Sequence, residues 1–394
     1  MTTRARTSPP TTGRWPLVAA GTALVATCYG LARFAYGLLA PAMGTELGVS
    51  RAMSGWVGSG AYVGYCVAIL VSTVATARWG PRLVASAAGA TAMLGMLTVA
   101  ASTGPTMLAV GVLVAGSSTG VASPPLAQAV ARWVAVERRD RSQTVVNAGT
   151  GLGVLASGPV AALLADRWRA AWLCFAVVAA VVTAWVVVVV PRSATHVGPD
   201  ARAVRLLPPR APGGARLVVV SAAMGLVSVA TWTYGRDLAE SVGGASPRAS
   251  ALLWVVLGAA GILAAAGGDV SHRLGAARSW RLLMLCLAGS TGALALWPAG
   301  AAALLTAGVF GASYIGLTGL VLVGATRVWP DHIAAGVWAG FLAIAAGQAL
   351  GAPLVGTLSG HGGLTVAFGV VAAAGALAAL LRFPDPDTGR HGTT

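Results

Sequence analysis

This 394-residue sequence predicts an all-α integral membrane protein with twelve transmembrane helices, arranged as two pseudo-symmetric six-helix bundles. Three observations support that fold class. The chain is strongly apolar, with a mean hydropathy of +0.77 and only 9% charged residues. It contains twelve apolar runs, and a helix needs about 20 apolar residues to cross a bilayer. Several residues also recur at a spacing of 194 or 195 positions, which indicates two related halves.

The charge composition excludes a soluble domain and argues against a nucleic-acid partner. Soluble domains carry about 25% charged residues, so this chain has too little polar surface to stay in water. All 26 basic residues are arginine, and the formal net charge is +15. These arginines are spread over short gaps between apolar runs, whereas a nucleic-acid surface needs them clustered on one folded face. The charge therefore predicts membrane orientation.

The twelve runs form two groups of six, joined by one long polar segment. The first six lie near residues 15–40, 53–75, 83–102, 106–130, 143–165 and 170–190, and the last six near 217–239, 249–270, 280–298, 302–324, 334–358 and 363–382. The joining segment is rich in proline, glycine and arginine, which predicts a linker. The expected domains are a tail (1–14), an N-terminal bundle (15–190), a linker (191–216), a C-terminal bundle (217–382) and a second tail (383–394).

Arginine placement predicts that both tails and the linker are cytoplasmic. With that orientation, twenty arginines fall in cytoplasmic segments and four fall in outer loops, namely Arg51, Arg167, Arg169 and Arg248. An excess of basic residues marks the cytoplasmic loops of membrane proteins. The first apolar run continues well past Cys28, which predicts a retained helix rather than a cleaved signal peptide. The expected location is the cytoplasmic membrane of the cell.

An internal repeat supports the division into halves. Offsets of 195 relate Arg78 to Arg273, Gly80 to Gly275, Gly116 to Gly311 and Arg132 to Arg327, and an offset of 194 relates Pro159 to Pro353. Parallel repeats of this kind are related by an axis along the membrane normal. Pro159 and Pro353 lie near the middle of their runs, where a helix kink can serve two halves that rock against each other.

The sequence predicts no cofactor, no metal site and no enzymatic activity. The four cysteines stand alone inside apolar runs, which favours buried thiols over disulfides or a zinc site. The chain contains no lysine, so a Walker-type ATP site is excluded. An intramembrane hydrolase would need a histidine at membrane depth, and all five histidines fall in predicted loops or tails.

The run CYGLARFAYGLLAPAM, from Cys28 to Met43, contains the most informative polar group. An arginine near the bilayer centre costs about 2.5–3.5 kcal/mol, so Arg33 is expected to face protein, water or a ligand rather than lipid. Tyr29, Arg33 and Tyr36 are four and three residues apart, which places them on one face of the first helix. That stripe predicts a site inside the bundle. Arg33 supplies a fixed positive charge there, because arginine stays protonated.

The counterion of Arg33 has two interpretations, because no acid lies at the centre of a run. In the first, Arg33 stacks on tyrosine, or pairs with carbonyls or acids of the seventh run as an outer gate. The nearest acids are Asp237 and Glu240, for which Arg236 competes. In the second, Arg33 binds an anionic substrate such as a carboxylate.

Three further side chains are candidate substrate contacts, each with a structural alternative. Trp232, Tyr314 and Gln348 lie in the seventh, tenth and eleventh runs. The alternative is packing or an interfacial position for the aromatic residues, and interhelical hydrogen bonding for the amide. With Tyr29, Arg33 and Tyr36 they form the predicted binding set.

Two loop segments resemble the signature G-x-x-x-D-R-x-G-R-R of the major facilitator superfamily of secondary transporters. They are TARWGPR, which starts at Thr76, and its counterpart SHRLGAAR, which starts at Ser271. Arg78, Gly80 and Arg82 match in the first copy, and Gly268, Arg273 and Gly275 match in the second. The resemblance covers about residues 15–382. It implies the twelve-helix transporter fold.

The resemblance also implies gating roles, which we expect at Arg78, Gly80, Arg82, Arg273 and Gly275. The signature's acid, which helps to hold the cytoplasmic gate in the family, is absent from both copies, where Ala77 and His272 stand instead. Asp269 or Glu137 could substitute for it. The stretch GLARFAYGLLAPAM most resembles the first helix of the bacterial YbfB/YjiJ-type branch.

The resulting expectation is secondary transport of a small solute by alternating access, with the protein acting as a monomer. An organic anion and proton coupling are both compatible with the sequence. If protons are coupled, Asp237, Glu240 or Asp269 would titrate, and we favour Asp237 because it lies beside Arg236 within a membrane run. A receptor or sensor with a transporter fold is the alternative class.

Overall fold

The computed structural model of the chain describes residues 15–164, 166–192, 208–266 and 274–384. Its first half contains α1 (Trp15–Leu47), α2 (Arg51–Trp79), α3 (Pro81–Ala100), α4 (Pro105–Trp133), α5 (Arg139–Leu163) and α6 (Trp168–Val189). The second half contains α7 (Gly214–Ser241), α8 (Pro247–Ala266), α9 (Ala276–Leu296) and α10 (Gly300–Val328). It ends with the helical segment Ile333–Ala378, which we divide at Gly363 into α11 and α12.

The division at Gly363 accounts for the predicted number of helices. Eleven helical segments of the described chain are long and apolar enough to cross a membrane, and the last of these spans, Ala335–Ala378, contains 44 residues. At about 1.5 Å per residue that segment is roughly twice as long as a hydrocarbon core about 30 Å thick. Gly363 has φ 78° and ψ 168°, a backbone conformation that is not helical, so one helix ends and another begins there. The segment therefore crosses twice, as the two final apolar runs predict.

Helix ends follow ordinary local rules. Ser50 caps α2 by accepting a 3.3 Å hydrogen bond from the backbone N–H of Met53. Proline occupies the first position of α3, α4 and α8, where its missing N–H costs nothing. Two short 3₁₀ turns, Val136–Arg138 and Pro330–His332, precede α5 and α11. Because these helices alternate in direction, the segment between α6 and α7 defines one face of the molecule, the linker face. We call the opposite face the far face.

The internal repeat is visible in the backbone. Gly80 and Gly275, which the offset of 195 relates, both precede a helix with φ near +80° (81° and 78°). Gly48 and Gly244, which follow α1 and α7, have φ of 66° and 64°. Left-handed φ is strained for residues with a Cβ, so glycine is required at these corners in both halves. Repeated backbone geometry supports two related bundles.

Glycines also permit equivalent close helix crossings in the two halves. A Cβ on Gly30 of α1 would lie 2.3 Å from the backbone of Gly153 on α5. Gly225 of α7 and Gly347 of α11 occupy the repeat-related positions. There, added Cβ atoms would lie 2.0 Å from the carbonyl oxygens of Ile344 and Ala222, respectively. Small residues let membrane helices approach closely and pack by van der Waals contact.

The halves meet along three helix pairs, α2 with α11, α5 with α8, and α1 with α7. The first two pairs are equivalent under the repeat, because α8 corresponds to α2 and α11 to α5. Near the centre of the molecule, these helix pairs surround the middle of α1. Side chains on α1, α2, α7, α10 and α11 therefore share one interior region, which contains Arg33.

We predict that Gly30→Ala destabilises the protein, whereas Gly289→Ala does not. At Gly30 the added methyl meets backbone, which cannot rotate away, and such overpacking costs about 1–3 kcal/mol. Gly289 lies exposed within α9, and a Cβ added there would have no atom within 4 Å beyond its own helix backbone and chain neighbours. Alanine there should be neutral or stabilising, because glycine weakens a helix interior by about 0.5–1 kcal/mol. The apparent melting temperature in detergent measures both. Equal stability of the two variants would contradict the α1–α5 crossing.

Candidate binding site between the two halves

Arg33 lies in an irregular part of α1. Residues Ala26–Phe34 form a π-helix, which ends where the N–H of Ala35 bonds the carbonyl oxygens of Arg33 and Gly30. π-Helical turns are rare and occur frequently at functional sites. The close crossing at Gly30 and Gly153 holds this segment against α5. The side chain of Arg33 is consequently fixed inside the bundle, where the residue is only 7% exposed.

A hydrogen-bonded amide connects Arg33 to the second half. Arg33 Nη2 donates to Gln348 Oε1 on α11 at 2.7 Å. Gln348 Nε2 in turn lies 3.3 Å from Ser228 Oγ on α7 and 3.4 Å from the hydroxyl oxygen of Tyr314 on α10. Helices α1, α7, α10 and α11 are thus connected around one guanidinium, and the groups that connect them to it are neutral.

Aromatic rings cover the rest of the guanidinium. Its central carbon lies 4.6 Å from the ring centroid of Tyr62, 4.9 Å from Tyr65, 5.3 Å from Phe34 and 5.9 Å from Tyr29. A cation within about 6 Å of an aromatic face is attracted by the ring's quadrupole, by about 2 kcal/mol or more when desolvated. These rings shield the charge without neutralising it.

Within the described residues, Arg33 forms no ion pair. The described pairs are Arg51 with Asp237, Arg169 with Glu46, and Arg236 with Glu240. Arg33 Nε is fully buried and has no hydrogen-bond partner there. A guanidinium can donate five hydrogen bonds, and one is formed. The site therefore contains a positive charge together with unused donor capacity.

A second group of rings adjoins Arg33 from the other half. Trp232 of α7 stacks on Phe34 with centroids 4.0 Å apart and planes inclined by 25°. It also meets Tyr314 edge-on at 5.3 Å and Phe310 at 5.7 Å. The indole is 3% exposed, and its Nε1 has no hydrogen-bond partner among the described residues. This contact between Phe34 and Trp232 spans the interface of the halves.

Five of the six predicted binding residues meet at this site, and Tyr36 does not join them. Arg33, Tyr29, Trp232, Tyr314 and Gln348 are connected by the contacts above. Tyr29 also bonds Ser123 of α4 through its hydroxyl at 2.8 Å. The Tyr36 hydroxyl instead lies 2.8 Å from Ser54 Oγ, nearer the far face. Tyr36 lies three residues, or about 4.5 Å, further along α1 than Arg33, and this distance places its hydroxyl beside α2 rather than beside Gln348.

Several site residues were not in the predicted set. Phe34 and Phe310 are apolar residues in apolar runs, which carry no distinguishing signal. Ser228 could have been found, because it lies 195 positions after Arg33 and is therefore its repeat-related residue. Tyr62 and Tyr65 are three residues apart on α2 and so share a face.

A latch of polar contacts joins the halves near the far face. Arg51 of α2 donates from Nε and Nη2 to the two carboxylate oxygens of Asp237 on α7, at 2.7 and 3.1 Å. The Tyr234 hydroxyl lies 3.1 Å from the Arg51 carbonyl oxygen and 3.0 Å from that of Ala352. Arg51, Tyr234 and Asp237 form what we call the far-face latch.

Arg236 belongs to a separate cluster and does not pair with Asp237. It donates to Glu240 Oε1 at 2.6 Å, to Ser250 Oγ at 3.0 Å and to the Pro247 carbonyl oxygen at 2.8 Å. It also donates to the carbonyl oxygen of Leu38 on α1. The competition predicted for the seventh-run acids is thus resolved, with one arginine for each acid.

The predicted gating residues have mixed positions. Arg78 is exposed and Arg82 half-buried on the linker face, and neither forms an ion pair within the described chain. Pro159 and Pro353 lie inside α5 and α11. Gly268, Asp269, His272 and Arg273 lie outside the described residues, and Glu137 is exposed. The gating roles stay predictions. Across the described chain, no cluster of three His, Cys, Asp or Glu residues could hold a metal.

Comparisons with known proteins agree on one fold. The family model of the Major Facilitator Superfamily matches residues 22–345. The xylose transporter XylE from E. coli, in its inward open conformation, is 13% identical with a TM-score of 0.75, covering 93% of this chain and 95% of that one. The human organic anion transporter MFSD10 (TETRAN) is 17% identical with a TM-score of 0.69, and the match covers 95% of this chain and 100% of that one. The nucleoside transporter NupG is 12% identical with a TM-score of 0.72, and the match covers 92% of this chain and 97% of that one. No curated protein matches.

We predict that Asp237→Asn loosens the far face by weakening the latch. Spin labels at Thr103 and Val242, which are exposed near the far face of the two halves, would report the separation by pulsed electron resonance in a cysteine-free background. The distance distribution should broaden toward longer distances, and the exchange Arg51→Asp with Asp237→Arg should restore it. The pair is partly exposed, so its effect on stability should stay within about 1 kcal/mol. An unchanged distribution in Asp237→Asn would contradict the latch.

Proposed function

Since the chain belongs to the Major Facilitator Superfamily and is a secondary transporter rather than an enzyme, we propose that its substrate is a small organic anion held by Arg33. The observation that carries this proposal is the buried guanidinium without a described acidic partner. An organic anion entering the site would supply the missing charge. A solved transporter of the same fold is named for organic anions, so the fold accommodates that class.

Energetics favour an anionic ligand over a neutral one. A buried charge without a partner is costly, and removing one member of a buried pair typically costs 3–5 kcal/mol. The Gln348 amide and the aromatic faces offset part of the cost of burying Arg33. A carboxylate would offset more, because arginine binds it through two parallel charge-assisted hydrogen bonds. Nε, which has no described partner, and Nη2, which a ligand would take over from Gln348, can together present such an edge.

The interface location suggests how binding couples to transport. Arg33 belongs to the first half and Gln348 to the second, so a ligand that replaces their mutual contact touches both halves. Alternating access then consists of rocking of these halves about the site, which opens the linker face and the far face in turn. The far-face latch would hold one of the two closed states.

We further propose a monomer in the cytoplasmic membrane, with both termini and the linker in the cytoplasm. The arginine excess in the predicted cytoplasmic segments of the sequence, twenty against four, supports this orientation. The substrate then passes between the cytoplasm and the far side of that membrane.

Proton coupling at Asp237 is part of the proposal. Its carboxylate pairs with Arg51 across the halves and is itself partly exposed. Protonation would remove the negative charge, weaken the latch and favour opening of the far face. A proton taken up on that side would thereby promote the conformational step that admits the substrate.

We predict that Arg33→Gln strongly weakens carboxylate binding while leaving the empty protein at least as stable. Loss of charged hydrogen bonds of about 1.5–3 kcal/mol weakens affinity roughly ten- to a hundredfold. Removing the uncompensated charge should not lower the apparent melting temperature. Thermal shift with small carboxylates, neutral sugars and cationic drugs measures both effects. Arg248→Gln, an equal charge change at an exposed position, is the matched control. Carboxylate stabilisation that survives in Arg33→Gln would refute the proposed substrate class.

We predict that Asp237→Asn transports without dependence on pH. Uptake into proteoliposomes by the wild type should increase with an imposed proton gradient, and the variant should respond equally with and without it. Asp166→Asn changes an exposed acid near the far face and should keep the gradient response. A full gradient response in Asp237→Asn would place coupling at another residue.

A further inference from the structure

The side chains around Arg33 form a closed circuit that draws on both halves. Arg33 contacts the ring of Phe34, Phe34 stacks on Trp232, and Trp232 meets Tyr314. Gln348 Nε2 lies within hydrogen-bonding distance of the Tyr314 hydroxyl, and Gln348 accepts from Arg33. These five residues come from α1, α7, α10 and α11. The circuit combines one charged group and one amide with three aromatic rings.

Most of the circuit's surface is suited to a flat apolar body. Phe310 extends it by stacking parallel to Tyr314, with centroids 6.2 Å apart and planes inclined by 10°. On the second-half side of the circuit, the polar groups are the Gln348 amide, Ser228 Oγ and the Tyr314 hydroxyl. On the first-half side, Tyr29, Tyr62 and Tyr65 present their rings to Arg33. A site that selects a polyhydroxylated solute must pair each hydroxyl, because buried polar groups without partners are costly. The few polar groups here favour a solute with one charged end and an aromatic remainder.

Two contacts of the circuit cross the interface between the halves. Each is of the kind that one part of such a solute would make with the protein. The Gln348 amide occupies Arg33 as a carboxylate would, by presenting an oxygen to Nη2 at 2.7 Å. Phe34 and Trp232 stack face to face at 4.0 Å, as a ligand ring would stack on either of them. When the halves separate, both contacts open together. A planar carboxylate can then replace both at once.

Trp232 also supplies an unused hydrogen-bond donor. Its buried Nε1 has no described partner. Trp254, Trp280 and Trp338 also have buried, unpaired indole N–H groups, so this feature alone does not mark a site. Trp232 differs because its ring contacts Phe34, Phe310 and Tyr314 beside the buried charge. An acceptor on the ligand ring would satisfy it.

We propose that the substrate is an aromatic monocarboxylate that carries a second hydrogen-bond acceptor. Its carboxylate binds Arg33, its ring stacks on Phe34 and Trp232, and its acceptor receives the Trp232 N–H. This inference rests on the proposed function, since it assumes that Arg33 binds the anion. It adds the chemical class of the part that Arg33 does not contact.

Binding of defined probes to the full purified protein tests the ring preference. Benzoate should bind more tightly than cyclohexanecarboxylate, which has the same charge and a puckered ring, by roughly two- to tenfold. That factor corresponds to an aromatic pair's gain of about 0.5–1.5 kcal/mol. Acetate should bind more weakly than both, and neutral benzamide should not bind. Equal affinity for benzoate and cyclohexanecarboxylate, with binding still lost in Arg33→Gln, would overturn this inference and leave the proposed function intact. No binding of any carboxylate would overturn both.

A conservative variant tests the role of Trp232. Trp232→Phe keeps a ring and removes the N–H, so it should keep the benzoate preference. In the wild type, 3- or 4-acetylbenzoate should bind more tightly than benzoate, because its acetyl oxygen accepts the Trp232 N–H. Trp232→Phe should remove this advantage, so that the acetylbenzoate binds no more tightly than benzoate. Trp280→Phe makes the same change at a buried indole that stacks on Phe383 near the linker face, and it should alter neither affinity. An acetyl advantage that persists in Trp232→Phe, or that never exists in the wild type, would overturn the assignment of the indole donor.

Discussion

The structure depends on a single positive charge in a place where charge is expensive. Arg33 is buried in the middle of a membrane helix, and its neighbours within the described chain are an amide and aromatic faces rather than an acid. In such surroundings the electrostatic influence of a charge extends much further than in water. The π-helix, the four converging helices and the contact between halves all serve to hold this group. Under the proposed function, such a site is preorganised for an anion, because the cost of burying the cation is met during folding.

The backbone follows the internal repeat, and the chemistry departs from it. Left-handed glycines and close helix crossings recur at equivalent positions in the two halves. At the centre, however, the repeat relates Arg33 to Ser228, and both belong to the same site through Gln348. The first half therefore supplies the charge, and the second supplies amide, hydroxyl and indole. Under the proposed function, the repeated backbone would let the halves rock, and the unequal side chains would favour one orientation of the bound solute.

Much of the architecture could be predicted from the sequence, because the membrane imposes strong rules on hydropathy and on arginine placement. The cost of a lipid-facing arginine was enough to place Arg33 inside the bundle. Its partner could not be deduced, since Gln348 lies 315 residues away and is one polar residue among several. Helical spacing predicts which face of α1 Tyr36 occupies but not which side chain its hydroxyl meets, and that hydroxyl lies beside Ser54 of α2. The sequence gives no signal that Phe34 belongs to the site, because an apolar residue within an apolar run is typical of ordinary packing.

The corner at Gly363 joins α11 to α12 without an intervening loop. Any tilt of α11, which contacts the centre of the molecule, is thus transmitted directly to a helix whose Val366, Val370 and Leu377 are exposed on the perimeter. If α11 tilts during transport, the acyl chains beside that helix would have to rearrange. We therefore expect lateral pressure and bilayer thickness to act on the same equilibrium as the solute, so that turnover depends on the surrounding lipid.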